Sequence, residues 1–152
     1  MLNRIFLSAD IEGTCGIAHW DETELGKPDY EPFRRQMTRE VAAACEGAFA
    51  AGCEDLLIKD AHDSARNLIP AELPERVSIF RGWGSDAMSM MGGLERGCDG
   101  VFFTGYHSGA GMGHQPPRPH DEPAEQLRQD QRHDRAGADD QQPDGGVSGV
   151  PV

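Results

Sequence analysis

RIFLSADIEG occupies residues 4–13, and the change within it from apolar to acidic residues decides the fold class. The run from Arg4 to Ala9 is apolar and has the length of a β-strand. Asp10 and Glu12 follow at the point where that strand should end. Because they are two residues apart, both side chains point to the same side if the chain stays extended. The stretch predicts a first strand that delivers two carboxylates to one edge of a sheet.

Two later stretches repeat this arrangement. The sequence KDAH at 59–62 ends a predicted strand over 55–59, and GYH at 105–107 follows a predicted strand over 99–104. Ligands of open parallel sheets bind at the carboxyl ends of the strands. We therefore expect His62 and His107 to lie near the two carboxylates.

The segments between these strands predict helices. Residues 33–51 carry apolar side chains at helical spacing, and Gly52 follows where a glycine commonly ends a helix. Residues 85–94 have methionines and a leucine at similar spacing, and residues 76–80 resemble a further strand. Strands that alternate with helices predict an α/β fold, with a mainly parallel sheet flanked by helices in three layers.

Composition excludes several classes of partner and location. The chain has 152 residues and a formal net charge of −12, which argues against nucleic acid or an anionic membrane as a partner. No apolar run approaches the length of a membrane span, and the polar residues of the first strand argue against a signal peptide. The four cysteines show no C-x-x-C spacing, which is typical of reduced thiols and predicts a cytoplasmic protein.

The chain divides into two unlike parts. Residues 1–113 have the pattern of a folded α/β domain, whereas residues 114–152 hold six of the ten prolines and no aromatic residue. Four arginines stand against eight acidic residues in this second part. Such a segment buries too little apolar surface to offset the entropy of ordering, so we expect a disordered, acidic tail.

The four side chains at the strand ends suit a metal site. Carboxylates and imidazoles from Asp10, Glu12, His62 and His107 would bind Zn²⁺, or else Mn²⁺ or Co²⁺, and two ions fit if Asp10 bridges them. Such a site activates water for hydrolysis. Each residue also has an ordinary interpretation: a turn cap, a solvated loop charge or a loop histidine. The glycines between 105 and 113 lack the lysine of a phosphate-binding loop and fit a mobile active-site loop better.

These motifs resemble the zinc-dependent D-aminopeptidase family. The matching pieces are SADIEG at 8–13, MTRE at 37–40, KDAHDS at 59–64, Asn67-Leu68, and GYHS at 105–108. They occur in the family's order between about residues 3 and 113.

The resemblance implies a metallopeptidase with two zinc ions, which removes N-terminal D-amino acids from short peptides and assembles as a homodecamer. It carries the metal ligands over to Asp10, Glu12, His62 and His107. From its position after the second strand, we expect Asp60 either to orient a metal-binding histidine or to cap a turn. We expect Tyr106 and Ser108 to support the ligands or line the substrate loop.

The resemblance also implies residues that are absent here. The family is longer and continues with a catalytic histidine and a further metal-binding glutamate, and neither is recognisable in residues 114–152; we identify no catalytic residue in this chain. Reading codons 114–122 one base forward permits Thr-Asn-Pro-Leu-Ala-His-Thr-Met-Asn, which resembles the family's continuation, and the agreement persists over some 30 positions. We therefore hypothesise that residues 114–152 are out of frame and that the chain is truncated and inactive or impaired.

Two other functions remain open from the sequence. One is a non-catalytic metal-binding or interaction protein with a genuine acidic tail, and the other is a metal-dependent phosphoesterase on a similar sheet.

Overall fold

A computed structural model describes residues 2–84 and 87–108 of the chain. Within these residues, four parallel strands form one sheet in the order β3-β2-β1-β4. The strands are β1 (Arg4–Ala9), β2 (Asp55–Asp60), β3 (Ser78–Phe80) and β4 (Gly100–Thr104). The predicted α/β class with a parallel sheet is confirmed. The bounds of β1 match the prediction, while β3 begins two residues later than predicted and β4 one residue later.

Helix α1 (Tyr30–Ala50) covers one face of the sheet. Its buried residues Met37, Val41 and Cys45 share a core with the inward side chains of β1 and β2. The helix begins three residues before the predicted start, and Gly52 follows its C-terminus in the left-handed conformation, with φ +96°. The Gly52 N–H donates to the Phe49 carbonyl and the Cys53 N–H to the Ala48 carbonyl. This pair of hydrogen bonds is the Schellman motif that a glycine at this position allows.

On the opposite face of the sheet, one prediction from the sequence is wrong. The helix expected over residues 85–94 is not formed in the described part of that segment, where the chain makes short 3₁₀ turns at Ser89–Met91 and Leu94–Arg96. Gly93 interrupts the pattern with φ +99°, and a side chain on Gly92 would lie 2.7 Å from the Phe80 ring. The two glycines let the backbone pack directly on the sheet. The helical spacing of the methionines therefore falls on short 3₁₀ turns and not on a helix.

The remaining described segments are connections. Short 3₁₀ turns occur at Trp20–Glu22, between β1 and α1, and at Pro70–Glu72, between β2 and β3. No helix among the described residues combines the length and apolar character that crossing a bilayer needs. The predicted boundary at residue 113 and the tail at 114–152 lie outside the described residues.

Candidate metal centre

Strand register brings the predicted site residues to one edge of the sheet. Ala9, the last residue of β1, lies opposite Asp60 of β2 and Thr104 of β4. Asp10 therefore leaves the sheet beside the loop that carries His62, two residues beyond the end of β2. This agrees with the expectation that the carboxyl ends of parallel strands share an edge.

Two glycines hold the Asp10 turn against the end of β4. The Asp10 N–H donates to the Thr104 carbonyl at 2.9 Å, and the Gly13 N–H donates to the Gly105 carbonyl at 2.6 Å. A Cβ on Gly13 would overlap the Tyr106 carbonyl, and one on Gly105 would overlap the Asp10 carbonyl. Only glycine permits so close an approach of two backbones. The glycine that ends SADIEG thus brings the carboxylates next to the β4 loop.

Asp10, Glu12 and His62 converge on one point. The His62 Nδ1 atom lies 3.2 Å from Asp10 Oδ1 and 3.2 Å from Glu12 Oε2. One ligand atom from each of the three residues lies within 4.8 Å of the others, as the ligands of a single metal ion must. Asp10 and His62 are 3% and 8% exposed, so the group is largely removed from water.

The orientation of the His62 ring is set by a backbone carbonyl. Its Nε2 atom lies 3.0 Å from the Thr23 carbonyl oxygen, which can only accept, so Nε2 carries a hydrogen. In the neutral ring, the lone pair of Nδ1 then points at two carboxylate oxygens. Metal-binding histidines commonly have this arrangement, with the outer N–H on a carbonyl and the inner nitrogen facing the ion. Nothing in the sequence could identify Thr23, because any residue offers a carbonyl.

The pKa values of the three groups show how their charges compensate one another. Burial alone would lower the pKa of His62, but hydrogen bonds to Asp10 and Glu12 outweigh it and raise this pKa to about 10. Burial raises the pKa of Asp10 to about 6, and the neighbouring Glu12 acts in the same direction. Burial also opposes ionisation of Glu12, yet its close contacts with His62 and Asp10 lower its pKa to about 2. At neutral pH an imidazolium therefore sits where a cation would bind.

The residues present fit a divalent metal ion. Glu12 Oε2 is buried and, apart from the ion-pair contact with His62, has no hydrogen-bond partner among the described residues. One imidazole nitrogen and two carboxylate oxygens are a donor set that zinc accepts. A centre of this kind needs either a proton or a metal cation between its ligands.

His107 lies outside this group in the structure. It follows β4 as predicted, but its side chain is exposed and its Nδ1 atom is 2.8 Å from the Ser108 carbonyl oxygen. Its ring nitrogens do not join the cluster of Asp10, Glu12 and His62. Its role as a ligand stays a prediction, which requires its Nε2 atom to come closer to the cluster than it lies in this structure.

The three predicted supporting residues make different contacts. Asp60 accepts hydrogen bonds from the Asn67 side chain at 2.9 Å and from the Leu68 N–H at 2.8 Å. The Tyr106 hydroxyl lies 2.6 Å from Ser8 Oγ. Because Ser8 Oγ already donates its hydrogen to the Met90 carbonyl at 2.7 Å, the Tyr106 hydroxyl donates to Ser8. Burial raises the pKa of Tyr106. Ser108 meets His107 through its carbonyl.

Comparison with known proteins agrees with these motifs. A model of the D-aminopeptidase family matches residues 3–117. The D-aminopeptidase of Bacillus subtilis (strain 168) is 32% identical over 107 residues, which are 70% of this chain and 39% of that protein. The solved structure of the Zn-dependent D-aminopeptidase DppA from Bacillus subtilis, described as a self-compartmentalizing protease, superimposes with a TM-score of 0.67 at 31% identity. That match covers 72% of this chain and 39% of the solved one.

The chain belongs to the D-aminopeptidase family, because the family model covers most of its length. It spans about two fifths of the length of the relatives it matches.

The raised pKa of His62 predicts a pH-dependent stability. The pKa of His62 is about 10 in the folded protein and about 6.5 in the unfolded chain. Its protonation therefore stabilises the fold fully at pH values below about 6.5, and this stabilisation is lost as the pH rises from there toward 10. In the presence of a chelator, we expect the free energy of unfolding to fall between pH 7 and pH 9 by about 1 kcal/mol per pH unit. Urea denaturation at several pH values measures this slope.

Two histidine variants control for other groups that titrate in this range. His62→Gln should remove most of the slope, whereas His107→Gln, at the exposed histidine, should keep it. An equal slope in the parent and His62→Gln would show that the imidazolium between the carboxylates contributes nothing.

Proposed function

We propose that this member of the D-aminopeptidase family binds zinc through Asp10, Glu12 and His62, with His107 as a further ligand. We propose further that the completed site hydrolyses the peptide bond after an N-terminal D-amino acid of a short peptide. The observation that carries the proposal is the His62 ring, whose Nε2–H is held by Thr23 while Nδ1 faces two carboxylate oxygens. The relatives named above are D-aminopeptidases, and one is described as Zn-dependent.

Zinc in such a site lowers the pKa of a bound water and polarises a carbonyl, which is the chemistry that peptide hydrolysis requires. The chain's own residues prepare the centre for the ion. Asp10 and Glu12 supply negative charge in a buried place, and His62 releases its proton to solvent when its nitrogen becomes a ligand. We place the protein in the cytoplasm, since its four cysteines are all free thiols.

The remainder of the active site is the subject of a second proposal. The chain spans 39% of each matched relative, and we propose that residues 114–152 are read out of frame, so that a catalytic histidine and a metal-binding glutamate are lost. The chain as printed then binds metal weakly and turns over slowly or not at all. The self-compartmentalizing description of the solved relative supports a homo-oligomer, which we propose to be a decamer, for the intact protein.

Metal affinity tests the ligand assignment. Asp10→Asn and Glu12→Gln each remove a charged ligand and should weaken zinc binding at least tenfold, measured by competition with a chromophoric chelator. Asp63→Asn is the matched control, because Asp63 is an exposed carboxylate next to His62 and asparagine tolerates its left-handed φ of 42°. The control should bind zinc within twofold of the parent. Equal affinities in the parent, Asp10→Asn and Glu12→Gln would contradict the assignment.

Turnover tests the proposed reaction. Two proteins are compared: the 152-residue chain, and the protein expressed from a gene whose reading frame is restored before codon 114. Both should bind zinc, but only the frame-restored protein should cleave a D-alanyl anilide. The L-alanyl anilide serves as the control substrate. Zinc binding with no turnover by either protein would favour a non-catalytic metal-binding role, and hydrolysis of an aryl phosphate alone would favour a phosphoesterase. Stop codons in the shifted frame across this region would reject the frame hypothesis.

A further inference from the structure

A buried hydrogen-bond network behind the metal centre converges on Asn67, which is fully buried. Its Nδ2 group donates to Asp60 Oδ1 at 2.9 Å and to the His62 carbonyl at 2.6 Å. Its Oδ1 atom accepts from the Tyr30 hydroxyl at 2.7 Å. Both neighbours of Nδ2 can only accept, so the orientation of this amide is fixed by chemistry. All the hydrogen-bonding groups of the Asn67 side chain except one acceptor lone pair are used.

Helix α1 anchors this network to the rest of the fold. Tyr30 lies in its first turn, and the Arg34 guanidinium donates to the Asn67 carbonyl at 2.5 Å. Thr38 Oγ1, one turn further along, accepts from the Ile69 N–H at 3.2 Å. The segment after Asn67 is thus tied to the helix at successive turns.

The loop between His62 and Asn67 needs such an anchor. Asp63 and Ala65 have φ values of 42° and 52°, in the left-handed region that residues other than glycine rarely adopt. A conformation of this kind persists only where surrounding contacts hold it. The contact from Asn67 to the His62 carbonyl, together with the Ala65 N–H bond to the same carbonyl at 2.8 Å, closes the loop on itself.

We propose that Asn67 is a positioning residue for the metal centre, and that it fixes the backbone of His62 while Thr23 fixes the ring. Asp60 acts through Asn67 rather than on a histidine ring: it holds the amide that holds His62. His62 is therefore fixed at both ends before any ligand arrives. The inference rests on the proposed function only where zinc binding is the readout.

Two variants of the full chain, one single and one double, test the inference, and a third variant is the control. Asn67→Asp replaces the donor with an oxygen that faces both Asp60 and the His62 carbonyl. The double variant Asp60→Asn/Asn67→Asp restores a hydrogen bond between positions 60 and 67 but leaves the oxygen against His62, and it serves if the single variant fails to fold. Val41→Ala removes core volume from the same helix without touching this network.

The direct readout needs no metal. Exchange of the His62 Nε2 hydrogen with solvent, followed by NMR of protein with ¹⁵N-labelled histidine, should be at least tenfold faster in both Asn67 variants than in the parent. Val41→Ala should stay within twofold of the parent. Unchanged exchange in the Asn67 variants would overturn the inference, and so would equal acceleration by Val41→Ala, because the effect would then be a general loss of stability.

Zinc affinity gives the functional consequence. Where the parent binds zinc, both Asn67 variants should bind it at least tenfold more weakly, and Val41→Ala should bind it normally. Parent-like zinc affinity in the double variant would overturn the inference. A parent that binds no zinc would reject the proposed function instead, while the exchange measurement would still decide the role of Asn67.

Discussion

The contact of the His62 imidazole with two buried carboxylates is the interaction on which the rest of the site depends. Asp10 and Glu12 approach Nδ1 from one side, and the Thr23 carbonyl holds Nε2 from the other. Two carboxylates this close together and this far from water repel one another unless a cation lies between them. A proton on His62 meets this need, and under the proposed function a metal ion would replace that proton.

The parallel sheet supplies the geometry that makes this contact possible. Strands β1, β2 and β4 end in register, so loops that are far apart in sequence leave the sheet side by side. The turn after β1 then comes close enough to the β4 loop only because Gly13 and Gly105 have no side chains. Behind the site, helix α1 and Asn67 hold the His62 loop in a conformation it would not keep alone. The rigid elements of the fold thus fix the positions of Asp10, Glu12 and His62, the three residues that we propose as metal ligands.

Much of this arrangement could be predicted from sequence, and the parts that could not have physical reasons. The period of the apolar residues located β1, β2 and α1, and the residues just after the strands identified Asp10, Glu12 and His62. The prediction of a helix over 85–94 was wrong for the described part of that segment, because the same methionine spacing also fits the short turns that Gly92 and Gly93 permit. Thr23 escaped notice because it acts through a backbone carbonyl, which leaves no local pattern. Asn67 belongs to a matching motif, but its role could not be predicted because a buried amide contact leaves no pattern either. The His107 ring direction depends on a loop contact with Ser108, which strand-end position does not determine.

Under the proposed function, a single metal ion can replace the His62 proton between the two carboxylates. X-ray absorption spectroscopy of the zinc-loaded full chain tests this most directly, because it distinguishes ligand atoms. We expect only nitrogen and oxygen neighbours at about 2.0–2.2 Å. Sulfur at about 2.3 Å would place the ion on the free cysteines and would contradict binding by the carboxylates and His62.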